Sequence, residues 1–344
     1  MTVRALRYEG KKTVVLTEIV KPDPKENEVR IKVKAVSICG SDVNGYKGSN
    51  SLRIAPLVMG HEFSGEIDCC GSKAKIFRPG MRVTANPNLC CGVCSNCKKG
   101  DFNLCDQKVV LGTSVGGRNI QGAMADYICV KEDNIIPLDD QLSFEEGAIL
   151  EPAAVSLHGI KRGGDLEGKR ISVIGAGPIG LLTIMLTKNM GVRQIISLDL
   201  VEKRLLFAKK CGASDMINLQ VQNLSAVKTL TDQEGVDVVF DCVGNEKSME
   251  QAINMVKNGG KIIVIGMAAE KINFPVKKFV AHEFQLFGSY QYKEEMEEVM
   301  ALAAKKRIDL NSIITSVLPL DRGKDAFERL CSPEPEDVKI VLRP

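Results

Sequence analysis

The sequence predicts an α/β protein in which an all-β part precedes a parallel, doubly wound sheet. Up to residue 130, short β-rich runs alternate with turn residues, whereas from Lys169 onward strand and helix patterns alternate. At the second pattern's start, Gly175, Gly177 and Gly180 sit between an apolar strand and a helix. The β-rich runs are RALRYEG, KTVVLTEIV, EVRIKVKAVSI, FSGEIDCC, MRVTANP and MADYICV, separated by Pro, Gly and charged residues. They suit a barrel or sandwich. A helical stretch, SFEEGAILEPAAVSLHGIKRG, leads to the strand RISVI and its glycine turn. QIISLDL, VDVVFDCVG and KIIVIGM then read as strands, with EKRLLFAKKCG and KSMEQAINMVKNGG as helices between them. EFQLFGSYQY reads as another strand, KEEMEEVMALAAKKRI as a helix, and the tail from IITSVLPL to VKIVLRP as β again, able to rejoin the first domain.

At 344 residues the chain can hold two domains with separate cores, and its 44% hydrophobic content suits a globular protein. The 46 Lys and Arg barely outnumber the 43 Asp and Glu, so no nucleic-acid footprint is expected. Runs such as IGLLTIML are too short to span a membrane. The opening MTVRALRYEG has no apolar signal stretch, which points to the cytoplasm and to reduced thiols. Small molecules and other subunits are the expected partners.

Cys91, Cys94, Cys97 and Cys105 have the spacing of a structural zinc site, since four thiolates in one loop suit tetrahedral zinc. The competing reading is buried packing residues or disulfide partners, and Cys90 beside Cys91 leaves the first ligand open. Cys69, Cys70, Cys129, Cys211, Cys242 and Cys331 have no metal spacing and read as packing residues. A second constellation is Cys39, at the end of a strand, with His61 and Glu62 in the segment GHEFSGE. A catalytic zinc needs three protein ligands and an open position; Glu151 is the candidate third ligand, with Glu62 as an alternative that exchanges with it. Zinc beside an alcohol favours the alkoxide, just as it lowers the pKa of water to about 7. Ser41 is placed to accept the hydroxyl proton and Asp42 to support His61; alternatively the pair caps a helix.

The glycine pattern fits a dinucleotide. Gly175 makes the turn, Gly177 admits a pyrophosphate and Gly180 allows close helix packing, with Pro178 and Ile179 on the same loop. Asp199, ending the next strand, suits the ribose hydroxyls of NAD and would repel the extra phosphate of NADP. Arg204 suits such a phosphate, adenine stacking or helix packing. Val243, Gly266 and Met267, at later strand ends, complete the expected cofactor surface.

Together these motifs resemble the zinc-dependent medium-chain dehydrogenase/reductase family over essentially the whole chain. GHEFSGEIDCCGSKA, Gly60 to Ala74, follows its zinc signature; CGSD at Cys39 and EP at Glu151 look like its polyol, sorbitol dehydrogenase-like branch. The resemblance implies a GroES-like β-barrel catalytic domain carrying both zinc sites (1–153), a Rossmann NAD-binding domain (154–290) and a C-terminal segment completing the first (291–344). It also implies a homodimer or homotetramer. Two residues depart from the branch: Asn44 replaces a relay histidine, and Gln291, beside a matching Tyr292, replaces a substrate-side arginine. The expected reaction is NAD-dependent oxidation of a secondary alcohol in a polyol, sugar acid or sugar-alcohol phosphate. Alternatives are threonine 3-dehydrogenase or 2,3-butanediol dehydrogenase and, in another class, a non-catalytic NAD-binding protein.

Overall fold

The strand Glu28–Ser37 shows how the β part is organised: Val29, Ile31 and Val33 are buried in alternation, then Ala35, Val36 and Ser37 are buried consecutively. Alternation marks a strand with one solvated face, and a continuous run marks one covered on both. This strand pairs antiparallel with Glu62–Cys70, Tyr127–Lys131 and the C-terminal Lys339–Arg343. Arg82–Ala85 and Ile135–Pro137 extend the sheet on one side and Ile314–Pro319 on the other. A smaller sheet joins Thr13–Val20, Thr2–Gly10 and Leu57–Val58.

The computed structural model describes residues 1–332 and 335–344. It divides into a unit of residues 1–151, 296–306 and 314–344, and a second unit of residues 152–295 and 307–313. In the first unit, the C-terminal helix Gly323–Leu330 turns Phe327, fully buried, onto Tyr46 with ring centroids 5.1 Å apart.

The second unit is built on six parallel strands in the order Asp215–Asn218, Gln194–Asp199, Arg170–Ile174, Val236–Asp241, Val256–Val264, Gln285–Gly288. The order runs outward in both directions from Arg170–Ile174, so the switch point lies between that strand and Val236–Asp241, where the Rossmann arrangement binds ligands. One expected boundary moves. The helix expected over KSMEQAINMVKNGG ends at Met255, and Val256 to Gly260 begin a strand instead. Val256 is already extended and registers with Val236. A Cβ at Gly260 would press on the carbonyls of Lys257 and Asp237, so the glycines serve a close strand approach rather than a helix end. The strand Asp215–Asn218 and helix Ser225–Leu230 lie in a polar stretch without marked periodicity. Among the described residues, no helix is long and apolar enough to cross a membrane.

If the C-terminal segment is integral to the first unit's core, Phe327→Ala should cost about 3–5 kcal/mol, as for other buried aromatic truncations. Chemical denaturation checks this; an unchanged midpoint would remove the segment from the core.

Candidate metal centre and nucleotide site

Past Ser37 the chain leaves its strand and enters the helix Gly40–Tyr46. Cys39 is the N-cap: it is extended, its Sγ accepts the N–H of Ser41 at 3.4 Å, and the Asp42 carboxylate receives its own N–H at 3.3 Å. The capping role expected at Ser41 and Asp42 therefore falls to Cys39, with Asp42 closing the box from the third helical position. Strand pairing supplies the other side, because Glu62 registers opposite Ser37. Gly60, just before His61, has φ 96° and its missing Cβ makes room for Met124. The ligand atoms of Cys39, His61 and Glu62 consequently lie within 4.8 Å of one another.

Around them the polar groups are closely engaged. Glu62 Oε2 accepts from Ser37 Oγ and from Lys339 Nζ at 2.5 Å, and Lys339 Nζ also donates to the Ile38 carbonyl at 3.1 Å. His61 Nδ1 lies 3.7 Å from Asp42, beyond hydrogen-bond length, and is buried without a partner among the described residues. Arg53 donates to Asp42 Oδ1 and, at 3.0 Å, to Ser41 Oγ. Glu151 is buried within electrostatic reach of His61, Glu62 and Cys39, though outside the three-residue cluster. Asn44 is exposed.

This interior holds four potential anions, Cys39, Asp42, Glu62 and Glu151, against two cations, Arg53 and Lys339. Burial, then Glu62, pushes the Cys39 thiol up to about 12. Burial also pushes Glu151 up to about 8; His61 opposes this, while Glu62 and Cys39 add to it. Burial alone would lower the Lys339 pKa, but Glu62 and Cys39 outweigh it and raise it. A divalent cation would balance two excess negative charges, and a donor set of thiolate, imidazole and carboxylate suits zinc.

In the second cluster, Cys91, Cys94, Cys97 and Cys105 bring their sulfurs within 4.8 Å of one another. Cys91 Sγ is 3.9 Å from Cys97 Sγ and 3.5 Å from Cys105 Sγ, close to the edge of about 3.8 Å expected for a tetrahedron with zinc–sulfur bonds of about 2.3 Å. Backbone N–H groups of Cys97 and Asp106 draw the Cys94 thiol down to about 6, favouring thiolate. Cys90 points its thiol at the Phe102 carbonyl, 3.2 Å away, and stands outside the cluster.

At the switch point Gly175 has φ 90°, a conformation that glycine tolerates. Gly177 caps the helix Pro178–Thr187 with open space where a Cβ would stand, and a Cβ on Gly180 would overlap the Gly175 carbonyl. Ile179 follows Pro178 in that helix's first turn. Asp199 is anchored by backbone donors, Ala176 N at 2.7 Å and Val201 N at 2.8 Å, while Arg204 Nε is buried without a partner among the described residues. Val243 packs toward Gly175, and Gly244 fits against Gly266. Met267 is largely exposed, Tyr292 is buried, and Gln291 has a left-handed φ of 52°. Sequence reasoning missed Asp241, whose buried carboxylate accepts the N–H groups of Val243 and Gly244 and the hydroxyl of Ser248. It missed Arg53 and Lys339 as well.

Residues 25–140 match the alcohol dehydrogenase GroES-like domain, and residues 178–305 match the zinc-binding dehydrogenase family. The chain is 34% identical over 331 residues to sorbitol dehydrogenase of Bacillus subtilis (strain 168), covering 94% of this chain and 92% of that one. It is 32% identical over 324 residues to L-threonine 3-dehydrogenase of Rhizobium etli (strain CIAT 652), covering 92% of each. A candidate zinc-binding dehydrogenase from Sinorhizobium meliloti 1021, solved bound to NADP, superposes with a TM-score of 0.91 at 26% identity over 100% of both chains. The chain is thus a dehydrogenase of the zinc-type medium-chain family, on its polyol dehydrogenase branch.

Proposed function

We propose that this dehydrogenase interconverts a secondary alcohol of a polyol, sugar acid or sugar-alcohol phosphate with its ketone, using NAD and a zinc held by Cys39, His61 and Glu62. The observation that carries the reading is the convergence of those three donors, with Cys39 Sγ also accepting the backbone N–H of Ser41. When bound, zinc supplies Lewis-acid charge that acidifies an alcohol, and NAD accepts the hydride. Lys339 and Ser37 both bond Glu62 at Oε2 and hold the carboxylate in place, so that Glu62 would present itself to a bound zinc already oriented. Glu151 is the carboxylate proposed to exchange with Glu62. Ser41 takes the hydroxyl proton and, with exposed Asn44 in place of a relay histidine, passes it to water. Loss of that proton and of a hydride from the carbinol carbon leaves the ketone.

Gly175, Gly177, Pro178, Ile179 and Gly180 are proposed to receive the pyrophosphate, Asp199 the adenosine ribose, Arg204 the adenine side, and Val243, Gly266 and Met267 the nicotinamide side. Cys91, Cys94, Cys97 and Cys105 are proposed to hold a second, structural zinc. All twelve cysteines are free, which suits a reducing compartment, and the proposal places a homodimer or homotetramer in the cytoplasm. L-threonine is the second substrate reading, favoured by the threonine dehydrogenase relative.

A panel of polyols, sugar acids and sugar-alcohol phosphates, with threonine and 2,3-butanediol included, tests the reading by NADH formation. One polyol-type substrate should dominate; turnover of threonine or butanediol alone would transfer the enzyme to that reading, and silence across the panel would refute both. Asp199→Ala should erode the preference for NAD over NADP, measured as the ratio of kcat/KM values. An unchanged ratio would reassign cofactor choice to other residues.

A further inference from the structure

We infer that Arg53, which no motif singles out, is a positioning residue that holds the Ser41 relay and the His61-facing Asp42 together; this rests on the metal and relay reading above. Its side chain is 3% exposed and that of Asp42 0%. The guanidinium donates through Nε and Nη2 to Asp42 Oδ1 at 3.0 and 2.9 Å, and through Nη2 to Ser41 Oγ at 3.0 Å. Asp42 Oδ2, the other oxygen, faces Cys39 N and His61 Nδ1.

Two further features seat this side chain. The turn carrying it is tied to the relay, since Asn50 Nδ2 donates to the Ser41 carbonyl at 3.1 Å and Asn50 O accepts the Arg53 N–H at 3.1 Å. On the helix, Gly45 leaves the space that the Arg53 stem fills; a Cβ there would collide with Arg53 Cβ and Cγ.

The chemistry follows from the donor. A guanidinium has no acceptor and keeps its protons, so the Ser41 oxygen always accepts from Arg53. One lone pair and the rotamer are thereby fixed, leaving the second lone pair for the substrate hydroxyl and the Ser41 hydrogen for the outgoing path. A fixed positive charge beside Oγ also makes it a poor place for a proton to rest. Ser41 therefore conducts the proton rather than storing it, which suits a relay whose next residue, Asn44, is an exposed amide.

The test is a cycle of four proteins: parent, Arg53→Lys, Ser41→Ala and the double variant. Lysine preserves the charge against Asp42 but loses the planar fork. With zinc content equal to the parent's, Arg53→Lys should lower kcat about 10- to 100-fold, part of the roughly 100- to 10,000-fold that a positioned proton-transfer group contributes, and leave KM for NAD unchanged. In the Ser41→Ala background the same change should cost nothing further. Denaturation midpoints of the four proteins as purified, at equal metal content, should be non-additive, a readout independent of turnover. An equal loss in both backgrounds, or additive midpoints, would overturn the inference and leave Arg53 as a counter-ion to Asp42 only. If Arg53→Lys does not fold, Asp42→Asn/Arg53→Gln replaces the ion pair with two amides and carries the same cycle. A parent inactive on every substrate defeats the functional reading, whereas the midpoints still decide whether Arg53 and Ser41 are coupled.

Discussion

Charge balance in one buried pocket is the constraint on which the first unit depends. Cys39, Asp42, Glu62 and Glu151 are withdrawn from water together, and each ion so placed costs several kcal/mol unless neighbours compensate. Arg53 compensates Asp42, and Lys339 compensates Glu62. Two ionisable groups, Cys39 and Glu151, remain without a cation of their own, and both are shifted toward protonation. The purely structural needs of a β-sheet do not require such an excess of buried anionic groups, and a divalent cation would balance it.

The fold delivers these groups by register. Pairing of Ser37 with Glu62 sets a carboxylate beside the end of the strand that leads to Cys39, and pairing of Val341 with Ser37 carries Lys339 to the same place. Lys339 reaches the Ile38 carbonyl across 301 residues of sequence, so the C-terminal strand is part of the site. In the second unit the strand ends at Ile174, Asp199 and Asp241 do comparable work. There the carboxylates of Asp199 and Asp241 each gather backbone N–H groups and shape the loops between strand and helix.

What could be read in the sequence was local. Cysteine spacing indicated the four-thiol loop, and the structure distinguishes Cys90 only because its thiol turns to Phe102. The strand–glycine–helix pattern gave the parallel sheet, while Asp215–Asn218 escaped because a short edge strand of DMIN carries little apolar signal. The helix expected over KSMEQAINMVKNGG overruns its end at Met255, because the strand contacts of Val256 to Gly260 depend on a neighbouring strand that the local pattern does not show. Arg53 and Lys339 were invisible for a different reason: each sits among apolar neighbours, in LRIAP and VKIVL, and its role depends on a partner that only folding supplies. A buried cation in an otherwise apolar strand is the one signal that would have exposed Lys339.

The proposed metal centre at Cys39, His61 and Glu62 is distinct from the cysteine loop. Anomalous diffraction at the zinc edge from crystals of the zinc-loaded protein tests it most directly. Two peaks per chain are expected, one among Cys91, Cys94, Cys97 and Cys105 and one among Cys39, His61 and Glu62. A single peak in the cysteine loop, with none beside Cys39, would contradict it.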